Sequence, residues 1–189
     1  MRRKMNPNLP LLFAALMLFC LGFGLADAHE PQAGAPAQEP QAAADAAATA
    51  ALTPCSTQEY RQFDFWAGSW EVYAPNGQMV GRNVIEPILD GCGLQETWVS
   101  ATGGRGHSYN FYDATRGKWH QTWIDDSGNP LYLDGALKDG RMVLGDGTNR
   151  ITWTPLPSGF VRQHWETTAD GGRTWTTAFD GEYRPAAGR

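Results

Sequence analysis

Between Cys55 and Tyr183 the large apolar residues fall on one parity within short runs of chain. The runs hold Trp70 and Val72, Val80 and Val84, Leu94 and Trp98, Tyr109 and Phe111, and Trp119 and Trp123. Leu131 and Leu133, Ile151 and Trp153, Val161 and Trp165, and finally Trp175, Phe179 and Tyr183 continue the pattern. A period of two belongs to β-strands with one face buried. Helical spacing is confined to a short stretch around Ser56–Phe63. Turn signals separate the runs, among them Pro75-Asn76-Gly77, Asp90-Gly91, Ser127-Gly128-Asn129, Asp139-Gly140 and Pro157-Ser158-Gly159. The expectation is an all-β meander of about ten short strands behind a short N-terminal helix, antiparallel because the connections are too short to cross over. A sheet that long has two edges to hide. Closure into an up-and-down barrel removes them, and a two-sheet sandwich is the alternative.

The chain ahead of this region is of a different kind. Arg2, Arg3 and Lys4 precede an apolar run from Leu9 to Leu25, and Ala26-Asp27-Ala28 offers a small-x-small cleavage site. That is the layout of a secretory leader over residues 1–28. The run is about 17 residues, interrupted by Pro10, Gly22 and Gly24, which is short for a membrane anchor. Residues 29–54 are rich in Ala, Pro, Gln and Glu with no aromatic residue, and are expected to be a disordered linker. The barrel then occupies 55–184, with a tail at 185–189. A secreted or periplasmic location follows. In an oxidising compartment Cys55 and Cys92, the thiols left after the leader, are expected to pair, two buried free thiols being the alternative.

Charge excludes some classes of function. The chain carries a net −5 with no stripe of Lys and Arg, so nucleic acid is not an expected partner. If the tryptophan parity points inward, it carries Glu96, His107, Gln121, Gln163 and Thr177 with it. Glu71, Tyr73, His120, Arg162, His164 and Glu166 then face water. The interior becomes an aromatic lining with a few orienting polar groups, the composition of a pocket for a small, largely apolar molecule. The expected ligand-binding residues are Glu96, Trp98, His107, Trp119, Gln121, Trp123, Gln163 and Trp165. A barrel packed solid by the same side chains is the alternative.

The run Asp64-Phe65-Trp66-Ala67-Gly68-Ser69-Trp70-Glu71-Val72, with Gly91-Cys92 and Glu96-x-Trp98 after it, resembles the opening of a bacterial family of secreted domains of unknown function. Asn110-Phe111-Tyr112-Asp113, Lys118-Trp119-His120-Gln121-Thr122-Trp123 and Trp165-Glu166 fit the same family. The resemblance implies a calycin-like, lipocalin-type barrel over roughly Cys55 to Tyr183 and no established reaction. Separately, Thr168-x-Asp170-x-Gly172-x-Thr174-Trp175 resembles the Asp-box hairpin of sialidase propellers, which implies a braced turn. A sialidase would need several such boxes and an arginine cluster.

Catalytic and metal chemistry have few candidates. His29, His107, His120 and His164 form no His-x-His or HExxH pattern, and no metal or cofactor is expected. Haem held by His107, the one histidine on the inward parity, is the alternative. There is no Gly-x-Ser-x-Gly elbow. Glu96 is the best acid/base candidate, since burial inside an aromatic barrel would raise its pKa. Non-catalytic ligand binding is therefore the working expectation. An enzyme using Glu96 and an envelope structural or interaction module with a filled barrel are its rivals.

Overall fold

A computed structural model describes residues 53–187. The leader 1–28 and all but the last two residues of the 29–54 tract lie outside the described residues. Strands β1 (Gly68–Tyr73), β2 (Met79–Ile88), β3 (Gly93–Ser100), β4 (Arg105–Asp113) and β5 (Lys118–Asp125) follow one another as hairpins. So do β6 (Pro130–Lys138), β7 (Arg141–Gly145), β8 (Asn149–Pro155), β9 (Val161–Thr167) and β10 (Thr176–Pro185). Each strand pairs antiparallel with its sequence neighbour, and β1 pairs with β10 through Trp70↔Pro185 to Tyr73↔Glu182, closing a ten-strand barrel. The sandwich alternative falls, because the ladder leaves no free edge.

Turn chemistry sets the hairpins. Asp139 and Gly140 both take positive φ, 50° and 75°, between the paired Lys138 and Arg141. Two such residues make the tight turn whose twist matches that of the flanking strands. The expected N-terminal helix is two 3₁₀ turns, Gln58–Arg61 and Asp64–Trp66. The second drives Phe63 and Trp66, both fully buried, into one end of the barrel. There Phe63 stacks on Trp66 at 4.9 Å and meets Trp119 and Trp153 edge-on at 5.6 and 5.2 Å. Burying aromatic side chains of this size stabilises the fold by about 2–3 kcal/mol each. The Cys55–Cys92 disulfide ties this plug to the β2–β3 connection, 37 residues downstream, as expected.

Two strands present a different face from the one expected. On β4, Gly106, Ser108 and Asn110 point inward, while His107, Tyr109 and Phe111 are exposed. On β2, Gly81, Asn83 and Ile85 point inward and Val84 faces out. The physical reason is pairing. Ser108 stands opposite the buried Glu96, and Asn83 reaches the same carboxyl from the other side, so these strands supply donors where their apolar residues could not. A bulge between Thr177 and Phe179 shifts parity within β10 as well. Phe179 turns in, while Thr177, expected inside, is exposed and bonds His164 on the outer wall.

Candidate functional site

The barrel is filled at one end and open at the other. The plugged end holds Trp66, Trp119, Trp153, Leu133 and Met142, all buried. Toward the other end lies a cavity of about 210 Å³, bordered by Glu96, Trp98, Gln121, Trp123, Leu131, Ile151, Gln163, Trp165, Ala178, Phe179 and Tyr183. An apolar cavity of about 150 Å³ already admits benzene, so this one holds a molecule on the order of ten non-hydrogen atoms.

Large aromatic residues line this half without filling it, and glycines explain how. The benzo edge of Trp98 on β3 lies over Gly81 on β2, where a Cβ would come within 2.4 Å of Cη2. Trp123 on β5 lies over Gly106 on β4, with Cζ2 only 2.2 Å from the position of a Cβ. Phe179 covers Gly181 of its own strand, a Cβ there meeting the ring at 2.7 Å. In both tryptophan cases the ring leans diagonally onto the neighbouring strand, at the position two residues from its direct partner. Rings drawn sideways onto the wall leave the lumen open.

Beneath the aromatic ring a chain of polar side chains crosses the interior. Gln121 Nε2 donates to Asn110 Oδ1 at 2.7 Å, Asn110 Nδ2 to Ser108 Oγ at 2.8 Å, and Ser108 Oγ to Glu96 Oε2 at 2.6 Å. From the other side Asn83 Nδ2 donates to Glu96 Oε1 at 2.6 Å and to Tyr183 Oη at 3.3 Å, and Tyr183 Oη donates to Gln163 Oε1. Among the described residues Asn83 Oδ1 and the indole N–H groups of Trp66 and Trp153 find no partner. Burial pushes the Glu96 carboxyl above its usual range, against the lowering effect of its bonds to Ser108 and Asn83. Burial also raises the Tyr183 phenol well above its usual value, and the nearby Glu96 charge adds to it.

Glu96, Trp98, Gln121, Trp123, Gln163 and Trp165 thus meet around one cavity. Two expected members do not. Trp119 sits in the plugged end, where it donates from Nε1 to Gln62 Oε1 at 3.1 Å and packs on Phe63. It lies two positions before Gln121 and so one layer deeper. His107 stands on the outer wall, bonding Thr97. Among the described residues no histidine borders the cavity, and a porphyrin is too large for it, so haem held by His107 does not fit. Asn83, Ser108 and Asn110 were missed because they interrupt the apolar parity. The spacing Gly106-x-Ser108-x-Asn110, a small-and-polar alternation beside a tryptophan strand, is the signal that could have found two of them.

On the outer wall β6, β7 and β8 separate His120 from His164, so the two do not meet. His120 Nδ1 bonds Asp134 at 2.8 Å, and His164 lies 3.8 Å from Glu166. The Thr168–Trp175 hairpin is braced by Asp170. Its Oδ1 accepts from the amides of Arg173 and Thr174 at 2.9 Å each, and the Thr174 hydroxyl donates to Oδ2 at 2.7 Å. These bonds, that of the Thr174 hydroxyl first, hold the carboxyl down to about 2. Trp175 lies outside the lumen, with the Arg150 guanidinium 4.2 Å above its ring.

No protein-family model matches the chain, and no curated protein matches it. What stands of the resemblance is the architecture, a closed antiparallel barrel of ten strands compatible with a calycin-like fold.

Proposed function

We propose that this protein is an exported, non-catalytic carrier or sensor that binds a small, largely apolar molecule in the open half of its barrel. The observation that carries the reading is the aromatic-walled cavity of about 210 Å³, kept free by Gly81 and Gly106 and floored by one buried carboxyl. An apolar enclosure with sparse, fixed polar groups is the general form of a small-molecule site. Export is supported by the leader-like opening and by the Cys55–Cys92 bridge, a bond suited to an oxidising compartment. Membership of the secreted family of unknown function, suggested by the Asp64–Val72 motif, is part of the same proposal, as is the Asp-box likeness of the 168–175 hairpin.

The test is a fluorescence titration, since Trp98, Trp123 and Trp165 all border the cavity. Medium-chain fatty acids, isoprenoid alcohols of about ten carbons and bicyclic aromatics form the panel. Saturable quenching at micromolar ligand by some member, lost in Gly106→Leu, is the expected result. No saturable response from any member would mean a filled or structural barrel. Turnover of a bound compound that disappears in Glu96→Gln while binding persists would make the protein an enzyme instead.

A further inference from the structure

The cavity holds an unresolved conflict of charge. Among the described residues Glu96 is the one buried side chain of acidic or basic type. Its neighbours across β2 and β4 are Ile85, Asn83 and Ser108, and Tyr183 is the titratable group that faces it, kept neutral by burial. Among the described residues no lysine, arginine or histidine borders the cavity. Yet both carboxyl oxygens receive donors, Asn83 Nδ2–H and Ser108 Oγ–H, each at 2.6 Å. Ser108 also accepts from Asn110, which directs its own hydroxyl hydrogen to Glu96. Two donors aimed at two oxygens suit an ionised carboxylate. The fold therefore prepares Glu96 for a negative charge and supplies no cation to balance it.

Gln121 and the aromatic wall are biased the same way, while Gln163 offers a donor. Gln121 spends its Nε2 on Asn110, which leaves its carbonyl oxygen as an acceptor. Gln163 uses its oxygen on Tyr183 and keeps one amide as a donor. Trp98, Trp123, Trp165 and Phe179, whose rings carry negative π-faces, share the rest of the wall with Leu131, Ile151 and Ala178. Aromatic walls around an anionic floor attract one kind of guest, a cation on an apolar body.

We infer that the ligand is a small organic ammonium ion, an apolar amine of about ten non-hydrogen atoms, whose charged nitrogen sits between the Glu96 carboxylate and the tryptophan wall. This rests on the cavity being a binding site and names the class of molecule it takes. The amine supplies the missing counter-charge, so the carboxylate can ionise without a buried net charge. Binding then displaces a proton wherever Glu96 is protonated in the free protein, and affinity rises with pH until the amine itself loses its proton.

Titration calorimetry with 2-phenylethylamine and its neutral isostere 2-phenylethanol tests this. The two differ by an ammonium against a hydroxyl on the same body. The expected result is at least tenfold tighter binding of the amine at pH 7.5, with the preference abolished in Glu96→Gln. A charge-assisted contact of this kind is worth roughly 10- to 100-fold. Should Glu96→Gln fail to fold, the wild-type protein still reports through amine affinity that falls as acid protonates Glu96 while alcohol affinity stays level. Equal or tighter binding of the alcohol, or pH-independent amine binding, overturns the charge inference and leaves the pocket standing. Binding of neither compound at millimolar concentration overturns the pocket and the inference together.

Discussion

Replacing Gly106 by alanine asks whether that glycine exists to seat an indole. A Cβ at this position would lie 2.2 Å from Trp123 Cζ2 and 2.3 Å from Cη2, whereas ordinary contact begins near 3.4 Å. The backbone there is not in the left-handed region, so alanine is strained only by the ring. Trp123 must retreat by about 1.2 Å, and the space available is the lumen. An indole face of about 50 Å² swept through that distance removes on the order of 60 Å³, and close packing leaves few other voids to take it up. Out of about 210 Å³ this is more than a quarter of the cavity. Overpacking of this degree costs about 1–3 kcal/mol. At about 4 °C per kcal/mol for a domain of this size, Tm falls by roughly 4–12 °C. Thermal unfolding followed by circular dichroism gives the first number, and affinity for a bicyclic aromatic such as naphthalene gives the second. The control is Gly104→Ala, where the nearest atom is the Ser100 hydroxyl oxygen at 3.5 Å and no strain arises. If Gly106→Ala matches Gly104→Ala in both Tm and affinity, the glycine does not hold the ring aside, and the account of why the barrel stays open is wrong.

Further perturbations have equally definite outcomes. Glu96 has a raised folded-state pKa, so between its unfolded and folded values the native protein holds a proton that the unfolded chain lacks. Stability therefore declines as pH rises through that window. Glu96→Gln should unfold at a Tm close to wild type below about pH 4.5 and increasingly above it as pH rises from there; a pH-independent gap would contradict the shift. Replacing Cys55 and Cys92 by serine opens a loop of 37 residues and should cost about 4 kcal/mol in guanidinium unfolding. A loss below 1 kcal/mol would show that the plug holds without its tie. Asp170→Ala removes the acceptor for the Arg173 and Thr174 amides, so their hydrogen exchange should accelerate while the barrel strands keep their protection. With the Asp170 carboxyl at about 2, wild-type protection there should persist at pH 3.5.

The strand period, the hairpins and closure were readable because turn dipeptides such as Asp139-Gly140 and the Trp119/Trp123 parity report local geometry. The inward position of Glu96, Gln121 and Gln163 followed from the same parity. His107 did not, because on β4 the sequence offers two rival faces. One carries Tyr109 and Phe111, the other Gly106, Ser108 and Asn110. Apolar count favours the first, and the demand of the Glu96 carboxyl for donors decides for the second. That demand is a tertiary fact, since it depends on which residue β3 places opposite. Trp119 shows the complementary limit. Its face was right, but depth along the axis is set by the Phe63–Trp66 plug, which lies far away in sequence.

The β1 and β10 ladder has a practical consequence. The Ala186 amide bonds the Ser69 carbonyl at 2.8 Å, so the described chain enters and leaves the barrel beside its stopper. A biotin, dye or resin attached at Thr53 or Ala187, the ends of the described chain, therefore grips the barrel by its base and leaves the rim turned toward solution. Surface-immobilised assays can use such attachment without shading the entrance, and a loop tag at Ser127-Gly128 or Asp146-Gly147, on the rim itself, cannot offer the same freedom.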